Sequence, residues 1–240
     1  MTGLDRRPAL RLLEHGDLAV EGRVVAASNA TFRGTVSDGN ASATCVYKPV
    51  RGERPLEDFP DGTLWKRERA AYLVSDASGW DIVPPTVTRA DGPFGEGMVQ
   101  LWIDIDEDAD VWKMVTDPDE RLRRIALFDA IVNNADRKGG HLLPVPGGHV
   151  YGVDHGICFA AEPKLRTILW DWRGEPITPA ELDVLRALRV KLDGPLCESV
   201  QPLIAPAEMR ALNTRLDRLI RTKVFPQPDP YRMAVPWPPF

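Results

Sequence analysis

Cysteine is scarce in this chain, with three residues among 240. The three lie far apart at positions 45, 158 and 197, and no two of them form a CxxC pair. An odd number without close spacing argues against a disulfide framework and a cysteine-rich zinc site. We therefore expect Cys45, Cys158 and Cys197 to be small buried thiols in a reducing compartment.

Long apolar runs are also absent. No stretch approaches the roughly 18 consecutive apolar residues of a membrane span, and residues 1–14 carry charges where a signal peptide has its apolar core. A basic surplus is missing too, since the formal net charge is −5, and non-specific binding to nucleic-acid phosphates needs a basic surface. The sequence indicates a cytoplasmic protein with no nucleic-acid partner and no integral membrane association.

The chain does contain regular patterns of strand and helix. In the first fifty residues, three apolar segments are separated by Ser28-Asn29-Ala30 and by a turn at Asp38-Gly39, which predicts an antiparallel meander. Good helix formers over 63–77 predict a helix. Two further strands are expected over 83–87 and 97–103.

The second half reads as mostly helical. An amphipathic pattern predicts a helix over 118–134, and a hairpin is expected around Pro146-Gly147-Gly148. Prolines open two further predicted helices at 179–191 and 206–223. An acidic run at 104–110 looks like a solvated connector. We therefore predict an α+β fold divided into an N-terminal lobe (1–103), a C-terminal lobe (104–225) and a Pro-rich tail (226–240).

Two short aspartate segments are the most informative feature of the chain. Asp136 and Asp154 each follow a predicted regular element, beside Arg137 and His155 respectively. A phosphotransferase needs one carboxylate to orient a hydroxyl and another to hold a metal on the nucleotide phosphates. Each aspartate alone could equally cap a helix or occupy a turn, because structural carboxylates of this kind are common.

A lysine and a glutamate upstream strengthen the interpretation. Lys48 lies on a predicted strand, and Glu68 lies on the apolar face of the predicted helix. A carboxylate on such a face rarely lacks a partner, and Lys48 is the candidate. A strand lysine alone usually reaches solvent, so the argument depends on the order in which the four residues occur.

That order, from strand lysine to helical glutamate to two aspartates that flank a hairpin, is typical of protein-kinase-like folds. Asn134 to Arg137 resembles the catalytic segment of the phosphatidylinositol 3-/4-kinase-like branch, in which aspartate precedes arginine. Residues 153–156 resemble the metal-binding Asp-Phe-Gly segment. Residues 47–55 resemble an actinobacterial group of phosphatidylinositol-kinase-like proteins, related to HipA-type kinases. The resemblance implies a two-lobed fold, with an antiparallel sheet and one helix in the N-lobe and a mostly helical C-lobe.

The resemblance also implies how ATP would be bound. Lys48 would contact the α- and β-phosphates, and Glu68 would hold it in place. Ser28 and Asn29 would add phosphate contacts from the first hairpin turn, where backbone N–H groups can also serve. The backbone of the last predicted N-lobe strand would meet the adenine, at Gln100, Leu101 and Trp102.

The remaining roles concern phosphoryl transfer. Asp136 would orient the acceptor hydroxyl, and Lys138 would neutralise charge on the transferring phosphoryl group. Asp154 would bind Mg²⁺, which prefers carboxylate and phosphate oxygens. The second metal ligand, expected to be Asn, falls on His141, and an imidazole suits Mn²⁺ better than Mg²⁺.

Three functions follow, in order of preference. The first is an ATP-dependent kinase that phosphorylates a hydroxyl of a protein or small molecule. The second is a nucleotide-binding pseudokinase that acts as a regulatory or scaffold module, which the substitution at His141 favours. The third is a metal hydrolase built from His141, His149, Asp154 and His155, although these residues lack the spacing of a known zinc motif.

Overall fold

The structure is a computed structural model, which describes residues 6–24 and 29–240. Within these residues the chain forms an N-terminal sheet followed by mostly helical structure. The elements are α1 (Arg6–His15), β1 (Asp17–Arg23), β2 (Phe32–Ser37), β3 (Ser42–Pro49), α2 (Leu64–Ser78), β4 (Thr86–Gly92), β5 (Gly95–Leu101), α3 (Val111–Thr116), α4 (Glu120–Val132), β6 (Leu142–Pro144), β7 (Val150–Gly152), α5 (Pro179–Lys191), α6 (Pro195–Val200) and α7 (Pro206–Thr222).

The N-terminal sheet has five antiparallel strands in the order β1-β2-β3-β5-β4. Side chains alternate between its two faces. On β3, Cys45 and Tyr47 face α1, where they join Leu12 and Leu13 in one apolar core. Lys48, the next residue after Tyr47, therefore lies on the opposite face, toward α2.

Helix α2 lies between the sheet and the C-terminal helices. Its first N–H groups, at Leu64 and Trp65, donate to the carboxylate of Glu53 at 3.1 and 2.7 Å, which caps the helix. Arg67, which the sequence pattern directs away from the apolar face, is buried with 1% of its surface exposed. The expectation of a one-sided helix is wrong at this residue because both sides of α2 are covered.

The C-terminal part packs around α4. Nine of its thirteen residues are buried, and α5 and α7 cover it together with the segment that follows the β6–β7 hairpin. The helix ends at Asn133, whose left-handed φ of 55° turns the chain toward Asp136. No helix among the described residues is long and apolar enough to cross a membrane.

The predicted α+β class is confirmed, and the differences from prediction are local. Strand β4 begins at Thr86, three residues later than predicted, because Pro84 and Pro85 have no N–H to give to a sheet. The six-residue helices α3 and α6 were not predicted. Cys45 and Cys158 are buried as expected, whereas Cys197 is only partly buried. The lobe boundary at residue 103 stays a prediction.

Candidate active site

The central contact of the site joins β3 to α2. Lys48 Nζ lies 2.7 Å from Glu68 Oε1, and Glu68 is 3% exposed. The other carboxylate oxygen of Glu68, Oε2, accepts the backbone N–H of His155 at 2.9 Å. Both oxygens of this buried carboxylate therefore have donors, as a buried charge requires. Glu68 joins the lysine to the second aspartate segment.

Asp154 completes this group from the loop after β7. Its Oδ1 accepts a hydrogen bond from Lys48 Nζ, and its φ of 61° is in the left-handed region, which is uncommon for an aspartate and recurs at functional sites. The charge of Lys48 lowers the pKa of Asp154 well below its usual range, against the effect of desolvation. Desolvation opposes the charge on Lys48, but Asp154 and Glu68 together raise its pKa. Lys48 and Asp154 are therefore both ionised at neutral pH.

Asp136 faces the same cleft from the segment after α4. Its side chain is 25% exposed, and Oδ2 lies 3.3 Å from Lys138 Nζ. Burial raises the pKa of Asp136, and the cation of Lys138 partly offsets this effect. A partly buried carboxylate of raised basicity, with a cation beside it, is suited to accept or orient a hydroxyl proton.

Arg137 ties the two aspartate segments together. This fully buried guanidinium binds Asp129 of α4 through two hydrogen bonds of 2.9 Å. It also donates to the carbonyl of Val153 at 2.8 Å and lies 2.7 Å from His155 Nε2. The planar fork of arginine makes such a multiple contact possible. Arg137 thereby fixes the residues directly before and after Asp154.

The contact with Arg137 defines the state of His155. Arginine has only donors, so His155 Nε2 must accept and the ring must be neutral. Burial, followed by the charge of Arg137, lowers the pKa of His155 well below 6.5. The proton then resides on Nδ1, which is buried and has no hydrogen-bond partner among the described residues. His155 is a buried structural acceptor.

His141 lies beside Asp154, with its Nε2 3.3 Å from Asp154 Oδ2. Burial lowers the pKa of His141 to about 4, and the neighbouring Asp154 only partly opposes this. The imidazole is therefore neutral at pH 7. Its Nδ1 accepts the N–H of Lys138 at 3.4 Å, so the ring proton lies on Nε2, and a metal could bind Nε2 once this proton moves to Nδ1. A nitrogen and a carboxylate oxygen at this separation fit two ligands of one divalent ion.

Protein ligands alone do not complete a metal centre in the described part of the chain. No group of three or more His, Cys, Asp or Glu side chains that could hold a metal occurs there. His149 contacts the carbonyl of Asp81 at 2.8 Å, and His155 binds Arg137. The structure thus does not unite the four residues of the hydrolase hypothesis.

The predicted phosphate and adenine residues have different surroundings. Asn29 borders the cleft, and its Oδ1 accepts the N–H of Arg54 at 3.0 Å. Ser28 lies outside the described residues. Gln100 is buried and donates to Thr86 Oγ1 at 2.8 Å.

On the same strand, the N–H of Leu101 donates to the carbonyl of Pro85 at 2.9 Å. The N–H of Trp102 donates to the carbonyl of Thr44 at 3.0 Å. Both groups are therefore already engaged by the backbone of neighbouring segments, at Pro85 before β4 and at Thr44 on β3.

The cleft itself is narrow. Its volume is about 60 Å³, and its walls include Asn29, Lys48, Glu68, Asp136 and Asp154. A larger cavity of about 580 Å³ lies elsewhere, between the first turns of α4 and α5 and the β6–β7 turn. It is lined by His149 of the hydrolase hypothesis but by none of the residues predicted to bind ATP or to take part in phosphoryl transfer. We place the candidate site by chemistry, because the smaller cleft holds the converging charged groups.

Two important residues of the site, Glu53 and Asp129, were missed or underrated from sequence. Glu53 caps α2 and borders the cleft, but it stands in an irregular loop with no local pattern. The sequence placed Asp129 in the apolar stripe of α4 without a partner. A buried aspartate in such a stripe was the available signal for the Arg137 ion pair.

Similarity to known proteins indicates the family to which the chain belongs. No family model matches the chain. Protein Rv2133c of Mycobacterium tuberculosis is 45% identical over 264 aligned positions, which span 95% of this chain and 94% of the mycobacterial protein. The chain belongs to the family of Rv2133c. Because both proteins are covered almost completely, the family likeness extends over both halves of the fold.

Two further similarities are to kinases. Phosphatidylinositol 4-kinase gamma 7 of Arabidopsis thaliana is 28% identical over 177 positions, covering 61% of this chain but 27% of the plant protein. The crystal structure of the Golgi casein kinase with Mn and ADP bound superimposes with a TM-score of 0.59 at 16% identity, over 90% of this chain and 74% of that one. The predicted two-lobed, kinase-like fold is confirmed.

Proposed function

We propose that this protein is an ATP-dependent phosphotransferase. The observation that carries the proposal is the convergence of Lys48, Glu68, Asp136 and Asp154 on one cleft. The 2.7 Å Lys48–Glu68 ion pair holds a lysine where nucleotide phosphates would enter between the sheet and the aspartate segments. Catalysis of phosphoryl transfer is mostly positioning and charge stabilisation, and this group supplies both.

The residues divide the work between phosphates, metal and acceptor. Lys48 would neutralise the non-transferred phosphates, while Asp136 orients the acceptor hydroxyl and Lys138 faces the developing charge. Asp154 and His141 would hold Mg²⁺ or Mn²⁺ together with phosphate oxygens. The metal, when bound, supplies positive charge to the phosphates. The manganese in the Golgi casein kinase structure is compatible with such a donor set.

The acceptor is proposed as a hydroxyl of a protein or small molecule. The Asp136-Arg137 order and the plant 4-kinase relatives support a place near the phosphatidylinositol 3-/4-kinase-like branch, and a relation to HipA-type kinases is part of the same proposal. A lipid acceptor has less support. The net charge of −5 does not favour an anionic membrane surface.

Adenine would lie against the chain that leaves β5. Because the N–H groups of Leu101 and Trp102 already bind the backbone of neighbouring segments, we propose residues 103–105 as the backbone that meets the base. Gln100, Leu101 and Trp102 would then shape the adenine pocket from the sheet side. This arrangement keeps the proposed adenine contact at the predicted junction of the two lobes.

Two variants test the proposal. With labelled ATP and either metal, Lys48→Ala should weaken nucleotide-dependent thermal stabilisation and abolish turnover, because the phosphates lose their cation. Asp136→Asn should retain stabilisation and lose roughly 100- to 10,000-fold in turnover, the usual range for a general base. Lys66→Ala and Asp183→Asn serve as controls, because they make the same two types of substitution outside the cleft. Undiminished transfer by Asp136→Asn would remove that assignment.

A nucleotide-binding pseudokinase is the second candidate, and one observation favours it. His141 replaces the expected metal-binding Asn, and Lys48 already pairs with Asp154 across a cleft of about 60 Å³. Thermal stabilisation by ATP without ADP release from the unaltered protein would support this candidate. Absence of both binding and turnover would eliminate both candidates.

A further inference from the structure

The Pro-rich tail, residues 226–240, packs against the catalytic segment. Its carbonyl at Pro239 accepts the N–H of Gly139 at 2.8 Å. Further up the tail, the carbonyl of Ala234 accepts the N–H of Thr167 at 3.0 Å and the indole N–H of Trp170 at 2.9 Å. The predicted irregular tail is therefore fixed by backbone hydrogen bonds at two points.

The Phe240 side chain packs against Gly139. A Cβ added at Gly139 would lie 2.1 Å from Phe240 Cδ1, so this packing requires glycine at position 139. The ring also lies 4.8 Å, centroid to centroid, from the indole of Trp112 on α3. Phe240, which is 45% exposed, thus lies between α3 and the turn that follows Lys138.

That turn carries two residues of the proposed site. Gly139–His141 form one turn of 3₁₀ helix, closed by a hydrogen bond of 3.1 Å from the N–H of His141 to the carbonyl of Lys138. The N–H of Lys138 in turn lies 3.4 Å from His141 Nδ1. A displacement of Gly139 would therefore move both Lys138 and His141.

A second route links the tail to the catalytic segment through residues 166–168. Arg137 donates its N–H to the carbonyl of Arg166 at 3.1 Å, and its carbonyl accepts from Ile168 at 3.2 Å. Thr167, between these two residues, binds the tail at Ala234. The tail, this middle segment and the catalytic segment form adjacent backbone layers. Among the described residues, none of those that line the cleft belongs to the tail. The tail therefore supports the catalytic segment from the side that faces away from the cleft.

We infer that the tail is a positioning element of the active site, in which Phe240 and Pro239 hold the 138–141 turn so that Lys138 faces Asp136 and His141 faces Asp154. This inference rests on the proposed phosphotransferase function for its catalytic consequence. Its structural part stands on the contacts of the tail with Gly139 and Thr167 and does not depend on that function. A misplacement of about 1 Å in such a turn can cost roughly 100-fold in rate.

A double-mutant cycle tests the inference. Phe240→Ala removes the ring, and Gly139→Ala places a methyl group where the ring lies. Each should speed tryptic cleavage after Arg232 several-fold and lower the transfer rate roughly 10- to 100-fold, with the ATP Kd changed less than about twofold. The double variant should be no worse than the worse single variant, because the methyl group then has room. Trp237→Ala, at an 83% exposed tail residue, is the matched control.

Separate readouts distinguish the failure of the two proposals. If the unaltered protein transfers no phosphate, the proposed function fails, while cleavage rates and the NMR signals of the His141 imidazole still test the tail contact. Both should change in Phe240→Ala and remain as in the unaltered protein in Trp237→Ala. The inference is overturned if Phe240→Ala matches Trp237→Ala in cleavage rate, imidazole signals and transfer rate. It is also overturned if the effects of Phe240→Ala and Gly139→Ala simply add in the double variant.

Discussion

At the scale of single residues, the metal preference of the proposed site would depend on His141. Its imidazole stands 3.3 Å from Asp154 Oδ2 and, with a pKa of about 4, stays neutral through the physiological range. Neutral nitrogen binds Mn²⁺ more readily than Mg²⁺, whereas a carboxamide oxygen suits Mg²⁺. One side chain therefore distinguishes the two metals proposed for this site.

The variant His141→Asn should shift metal use toward Mg²⁺. We expect the ratio of Mn²⁺-supported to Mg²⁺-supported turnover to fall roughly tenfold, equivalent to about 1.4 kcal/mol. The ratio is measured by ADP release at saturating ATP with each metal in turn. His149→Asn, which alters a histidine bound to the Asp81 carbonyl, should leave the ratio unchanged. An unchanged ratio in His141→Asn would show that the imidazole is not a ligand.

Arg137 shows which contacts of the site could not be predicted from the sequence. Sequence identified it only as the neighbour of Asp136 in a motif, while the structure gives it contacts to Asp129, Val153 and His155. Such contacts join residues up to 18 positions apart, and no local pattern specifies them. The types and order of site residues could be read from the sequence, but the network that orients them could not.

At the scale of elements, predictability follows how local the determinants are. Helix α5 was predicted to the residue, because Thr178 and Glu181 form a capping box with Pro179 at the first position. Helix α3 was missed because it is six residues long and is capped by Asp110 from within an acidic run. Arg67 was misplaced because periodicity assumes one buried face, and tertiary packing buries both faces of α2.

The position of α2 depends on a buried ion pair with α7. Arg67 Nη2 lies 2.7 Å from Glu208 Oε1, and Arg67 Nη1 donates to the carbonyl of Cys158 at 2.8 Å. Arg67 directly precedes Glu68, so this anchor also fixes the partner of Lys48. Loss of one member leaves a buried charge without its counterion, which is strongly destabilising.

Arg67→Met should lower the free energy of unfolding by roughly 3–5 kcal/mol. Urea titration followed by circular dichroism measures the change. The second substitution Glu208→Gln should restore part of the loss, because it removes the uncompensated charge. Arg186→Met, which breaks an exposed pair with Asp183, should cost less than about 1 kcal/mol. A loss in Arg67→Met no larger than that in Arg186→Met would contradict the anchoring role.

At the scale of the whole molecule, the fold contains two main apolar cores of unequal size. The smaller core joins α1 to the five-stranded sheet. The larger one contains the C-terminal helices and also Ala70, Tyr72 and Val74 of α2. By its apolar packing, α2 thus belongs with the C-terminal part, although it precedes residue 103. The sequence predicted the order of these elements but not this division, because packing partners far apart along the chain decide it.

The division passes through the candidate site. Lys48 extends from the sheet, whereas Glu68 lies on α2 and Asp154 follows β7, two elements with residues in the larger core. The ion pairs of Lys48 with Glu68 and Asp154 therefore join the two parts. The cleft between them measures about 60 Å³, while sites for small molecules usually measure about 300–1,000 Å³. A nucleotide would therefore require the sheet to move away from α2 and then contact both cores.

Native-state hydrogen exchange should reveal these two units. We expect amides of α2 at 70–74 to open together with those of α4 and α7. Amides of β3 at 43–47 should open at a lower free energy, because the smaller core buries less apolar surface. Lys48→Met should lower protection of β3 selectively, since it removes the ion pairs between the cores. ATP with Mn²⁺ should raise protection of β3 in the unaltered protein alone. If the amides of α2 instead open at the same free energy as those of β3, the two units are divided at the predicted lobe boundary and not between the sheet and α2.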